Sequence, residues 1–133
     1  MNSALDRRKF EKEGCEIAMK IFENRYIESE EEVEGRRITM SNLRNMLEAA
    51  REAKKIGSYD YFKLRAAYIA RDADYEDSLH YFVRRLLSEI NKRGKTDEER
   101  IELAIATLTA SIYLFSALKC NFRKIIYWRG GRS

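Results

Sequence analysis

No proline occurs anywhere in the 133 residues, and there are only six glycines. These two residues force a chain to turn, so a sequence poor in both has few obligatory breaks. A many-stranded β fold needs turn residues roughly every eight to twelve positions. This chain does not supply them, which leaves helices joined by short connections. Its length suits one domain around one core.

Hydrophobic periodicity marks five helical segments. The first runs from about Ala4 to Tyr26 on Phe10, Ile17, Ala18, Ile21 and Phe22, with Gly14 as a weak point. It leads into an acidic stretch, Glu28 to Glu34, which reads as a solvated loop closed by Gly35. The second segment opens at Thr39, an N-cap type, with Ile38 and Leu43 placed as a hydrophobic staple. Its stripe is Met40, Leu43, Met46, Leu47, Ala50 and Ala53, and Gly57 is placed to end it in the left-handed conformation. In the third, about Tyr59 to Arg71, Tyr61, Phe62, Leu64, Tyr68 and Ile69 cover more than one face, which predicts a largely enclosed helix. The fourth opens after Asp74 as its cap and stops near Gly94, with Leu79, Phe82, Val83, Leu86, Leu87 and Ile90 on one face. The fifth begins with a capping box, Thr96 and Glu99, and is apolar on nearly all sides from Ile101 to Leu118, as a central helix would be. The expectation is an all-α compact bundle of about five helices in a single domain. Within it, 1–35 holds the first helix and acidic loop, 36–118 the main body, and 119–133 a basic aromatic tail.

Several chemistries are excluded by what is missing. There is no Gly-rich phosphate loop, no Cys-x-x-Cys and no His-Glu-x-x-His. Cys15 and Cys120 are too far apart in sequence for a metal-ligand motif, and free thiols suit a reducing compartment. His80 is the single histidine, and a bland position beside the apolar stripe suits it better than a metal site. Caps and solvated loops account for Asp72, Asp74, Glu76 and Asp77. No catalytic residue, metal or cofactor is expected. Residues 1–14 hold no apolar stretch of signal type, and no run of about 18 apolar residues suggests a membrane span. The expected compartment is the cytoplasm.

Charge is more informative. The net value is +4. Residues 1–35 hold six Lys/Arg against ten Asp/Glu, while 36–133 hold twenty against twelve. The larger part therefore carries a basic footprint of the kind that meets polyanions. Arg44, Arg51 and Lys55 share a face of the second helix, with Glu48 among them. On the fourth, Arg84, Arg85 and Lys92 fall with Tyr81 and Ser88 opposite the apolar stripe, with Glu89 at the edge. Arg36 and Arg37 precede the start of the second helix, where unpaired backbone N–H groups and hydroxyls of Thr39 and Ser41 form a candidate phosphate seat. Such contacts give affinity without sequence choice. An ordinary solvated surface laced by i, i+4 pairs is the other reading of these stripes.

Two stretches resemble a known family. Ile38-Thr39-Met40-Ser41-Asn42-Leu43-Arg44-Asn45-Met46-Leu47 resembles the "L-T-T-S-x-L-R-N-hydrophobic" opening of the small helical subunit of type III-A CRISPR effector complexes, the Csm complexes. Tyr61-Phe62-Lys63-Leu64-Arg65-Ala66-Ala67-Tyr68-Ile69-Ala70-Arg71 resembles the family's "Y-L-K-h-K-x-x-Y-x-A-G-R" helix, without the Gly before the last Arg. Leu103 to Leu118 is loosely similar to the closing helix.

The resemblance implies an all-helical protein without a catalytic site. Copies would stack as an inner filament beside the backbone and large subunits, with a basic groove toward the crRNA and target RNA. The matching RNA-facing residues would be Arg44, Lys63, Arg65 and Arg71, and helical geometry extends that face to Arg51 and Lys55. The alternative is the small subunit of a type III-B complex, or another helical interaction module with an acidic protein partner. Charge complementarity also raises the expectation that the acidic loop pairs with the basic tail of a neighbouring copy.

Overall fold

The computed structural model describes residues 4–22 and 38–130, with side chains for 7–22 and 38–117. The described residues form five α-helices and no strand: α1 (Ala4–Ile21), α2 (Met40–Ile56), α3 (Tyr59–Ile69), α4 (Ser78–Arg93) and α5 (Asp97–Gly130). The chain is a single all-α domain, as its turn-poor sequence predicts. The acidic loop, Arg36 and Arg37, the side chains of the tail and the expected end of the first helix at Tyr26 lie outside the described residues.

The local signals around α2 act as read. Thr39 caps it: its hydroxyl accepts from Asn42 N–H at 3.1 Å, and Asn42 Oδ1 accepts from Thr39 N–H at 3.0 Å. Asn42 therefore completes a capping box usually closed by Glu or Gln. Ile38 and Leu43 are both buried, and Ile38 N–H donates to Ser78 Oγ at 2.9 Å, tying the start of α2 to that of α4. Gly57 ends the helix at φ +81°, a left-handed conformation that favours glycine.

Two other helix starts differ from expectation. Asp77, not Asp74, occupies the N-cap of α4, and its Oδ2 accepts from Asp74 N–H at 2.7 Å. The carboxylate thus closes the preceding turn, and the helix begins four residues later than Asp74. At α5, Thr96 Oγ1 accepts from Glu99 N–H, but Glu99 Oε1 reaches past the cap to Lys95 N–H at 2.9 Å. The helix also continues through the expected tail to Gly130.

Helix directions follow from the contacts. Gly14 faces Ala106, and the rings of Phe22 and Phe115 lie 6.2 Å apart, so α1 runs parallel to α5. Lys54 pairs with Glu102, and Arg44 and Leu47 line one groove with Ile112, so α2 runs antiparallel to α5. Glu16–Arg93 and Lys20–Glu89 set α1 antiparallel to α4. Helix α5 touches all four others, which explains its lack of a polar stripe. By length and composition Asp97–Ala117 would also pass for a membrane span, a test that the core helix of a bundle meets equally well.

Gly14 is not a weak point. It is buried, and a Cβ there would stand 2.6 Å from the Ala106 carbonyl carbon and 2.7 Å from the Thr107 nitrogen. The missing side chain is what lets α1 approach the backbone of α5. The core around this contact holds Ile17, Ile21, Leu43, Met46, Phe62, Phe82, Leu86, Leu103 and Leu108.

Helix α3 is not enclosed. Tyr59, Phe62 and Ala66 are buried, but Leu64 is 71% and Tyr68 62% exposed. Only one face reaches the core, because α3 lies outside α2 and α5 and nothing described covers its far side. Cys15 also faces solvent.

Candidate nucleic-acid interface

The expected basic residues fall into groups that differ in what they already hold. On α2, Arg44, Arg51 and Lys55 are exposed and make no ion pair among the described residues. With Leu47, Glu48, Glu52 and Ile112 they line an open groove of about 510 Å³ between α2 and α5. Glu52 is largely neutralised from α3. Arg65 Nη1 lies 3.2 Å from its carboxylate, and the Tyr61 hydroxyl donates to it at 2.7 Å. The Tyr61 hydrogen bond holds this carboxyl below the ordinary range, with the charges of Arg65 and Lys55 adding to the effect. Glu48 remains as the opposing charge, so the groove is net positive.

The α3 residues divide. Lys63 pairs with Asp60 at 3.1 Å and Arg65 with Glu52 at 3.2 Å, so each basic group already has a carboxylate partner. Arg71 pairs with no carboxylate among the described residues. Its guanidinium lies 3.9 Å from the Tyr68 ring centre and donates to the Tyr68 carbonyl at 2.8 Å.

The α4 stripe is not the open basic face expected from its spacing. Glu89 is only 2% exposed, and it faces Lys20, Arg85, Lys92 and Arg93 at 3.3 to 3.8 Å. Arg85 and Lys92 therefore serve this cluster, which fastens α4 to α1, and are not the unpaired cations that their spacing suggests. Arg84 is held differently. It lies 3.7 Å from the Tyr75 ring centre, donates to the Tyr75 carbonyl at 3.0 Å and meets His80 Nδ1 at 2.7 Å. Arginine can only donate, so His80 Nδ1 is the acceptor, and the histidine is a structural partner of the α3–α4 turn.

At the start of α2 the cap takes up two donors of the candidate phosphate seat, the Asn42 and Thr39 N–H groups, which Thr39 and Asn42 satisfy for each other. Arg36 and Arg37 lie outside the described residues. Three features escaped the sequence reading: the Glu89 cluster, the Arg71–Tyr68 stack and the Tyr75–Arg84–His80 contact. Spacings of i+3 and i+4 from Glu89 to Lys92 and Arg93 were visible, but Lys20 is distant in sequence.

Glu89 makes stability depend on pH. Burial pushes its carboxyl up, but the hydrogen bond and charge of Lys20, then Lys92 and Arg85, outweigh this and hold it below the ordinary value. A depressed folded value means the stabilisation is complete above the unfolded carboxylate pKa of about 4.3 and is lost as pH falls through the folded one. Glu89→Gln is therefore expected to cost about 2 kcal/mol at pH 7, a typical value for charge-assisted hydrogen bonds. The two chains should converge in stability in acid below the folded value. Urea titrations across pH check this, and a gap that persists unchanged in acid would refute it.

Among the described residues, no group of three or more His, Cys, Asp or Glu is placed to hold a metal. The class defined by fold and surface is an all-α, single-domain bundle with a positively charged groove along one outer helix. No protein-family model, curated protein or solved structure matches the chain.

Proposed function

We propose that this chain is a non-catalytic small subunit of a type III-A CRISPR effector complex, which stacks with copies of itself and lies along the backbone of guide and target RNA. The observation that carries the reading is the Ile38–Leu47 motif at the head of α2, the helix whose exposed side bears Arg44, Arg51 and Lys55 without ion-pair partners among the described residues. A groove of this kind suits a ligand whose sequence is read by base pairing elsewhere, because it offers charge and shape and little base-specific hydrogen bonding. Arg71 adds a further cation in the turn that follows the neighbouring helix.

Purification of the tagged chain from its native host tests this. Backbone subunits, the polymerase-like large subunit and crRNA are expected to accompany it, with RNA released by raised salt. Recovery with type III-B subunits would move the chain to the related complex. Recovery with an acidic protein and no nucleic acid would overturn the RNA reading.

A further inference from the structure

We infer that Tyr68, backed by Arg71, is a stacking platform for an unpaired base, so that this side of the molecule takes single-stranded nucleic acid in preference to duplex. The inference rests on the proposal that the α2 groove meets nucleic acid. Tyr68 is a large aromatic side chain left 62% exposed. One face of its ring is covered by the Arg71 guanidinium at 3.9 Å, and that guanidinium is fixed in turn by its hydrogen bond to the Tyr68 carbonyl. No other ring contact engages Tyr68 among the described residues. A base laid on the open face would complete a stack of base, phenol ring and guanidinium, in which both contacts are favourable.

The position suits the groove. Helices α2 and α3 are neighbours joined by Gly57 and Ser58, and Glu52 of α2 meets Tyr61 and Arg65 of α3. Tyr68 stands at i+7 from Tyr61 and i+3 from Arg65 and so shares that side of α3. The helix that carries the groove cations is thus the neighbour of the helix that carries the ring, and Leu64, 71% exposed one turn before Tyr68, extends the apolar surface. Tyr75, 67% exposed, is likewise backed by a guanidinium, that of Arg84 at 3.7 Å, but the His80 ring also lies against it at 5.5 Å. Tyr113 is 73% exposed, but no guanidinium lies over its ring among the described residues. A paired duplex hides its base faces, so only an unpaired strand can use the platform.

The test is fluorescence anisotropy of the full chain with a labelled 20-nucleotide oligouridylate and with an RNA duplex of equal length. Tyr68→Ala is expected to weaken single-strand binding by about 5- to 150-fold, the range for one stacked base. Its salt dependence and duplex affinity should not change, and Tyr68→Trp should retain single-strand affinity. The exposed position predicts an unaltered melting temperature. Unchanged single-strand affinity in Tyr68→Ala, or equal loss for both ligands, would overturn the platform and leave the groove standing. A substitution that alters sedimentation of the free protein would mark the face as a protein contact and overturn it as well. Failure of the wild-type chain to bind either RNA at low salt would remove both the platform and the reading beneath it.

Discussion

Substituting valine for Gly14 is expected to destabilise the chain by about 3 kcal/mol, the upper part of the range for overpacking a core, and to lower the melting temperature by about 10 °C at this chain length. A side chain at this position meets the Ala106 carbonyl carbon and the Thr107 nitrogen within 2.7 Å. Those are backbone atoms of the central helix and cannot rotate away. Helix α1 must therefore withdraw, loosening Ile17, Ala18, Ile21 and Phe22 together, along with the Lys20–Glu89 and Glu16–Arg93 links to α4. For a domain with about 5–15 kcal/mol of stability this is a large fraction. Gly14→Ala separates the terms. Alanine gains up to about 1 kcal/mol of helix propensity and introduces a smaller clash, so its loss should be smaller. Thermal melts by circular dichroism decide the matter. A valine variant that melts with the wild type would mean that α1 and α5 do not approach closely at this residue.

Neutralising the α2 groove should produce the largest functional effect. Arg44→Gln, Arg51→Gln and Lys55→Gln together remove three candidate phosphate contacts. For single strands each contact contributes about 0.7 to the slope of log affinity against log salt, so the slope should fall by about 2 and affinity at 0.1 M salt by roughly a hundredfold. The structure supplies a control of equal formal charge. Lys63, Arg85 and Lys92 each already face a carboxylate, so their triple glutamine variant should change the slope far less. The control variant is expected to melt earlier instead, because Glu89 loses two of its partners. Equal slopes for the two triple variants would show that overall charge alone governs binding, and the groove would lose its special place.

Much of the fold was legible in residue order. Thr39, Ile38, Leu43 and Gly57 bound α2 through interactions within a few residues, and that is why they could be read directly. The all-round apolar character of Ile101 to Leu118 marked the central helix for the same reason: a helix lacking a polar face must be surrounded. Misreadings arose where the deciding neighbour was remote or where two local partners competed. Asp74 and Asp77 are both cap types, and only the path of the turn selects Asp77. Arg84, Arg85 and Lys92 share a helical face by spacing, yet Arg84 serves Tyr75 and His80 while Arg85 and Lys92 share Glu89.

Helix number, helix type, the bounds of α2 and the division between an acidic beginning and a basic body belong to the sequence itself, since propensity, capping and periodicity act over neighbouring residues. Assembly alone decided that Gly14 is a contact, that Leu64 and Tyr68 face outward, that Glu89 gathers four cations, and that Arg44, Arg51 and Lys55 make no ion pair among the described residues. Each of those outcomes depends on which surface of one helix meets another, and no stretch of a single helix encodes that choice.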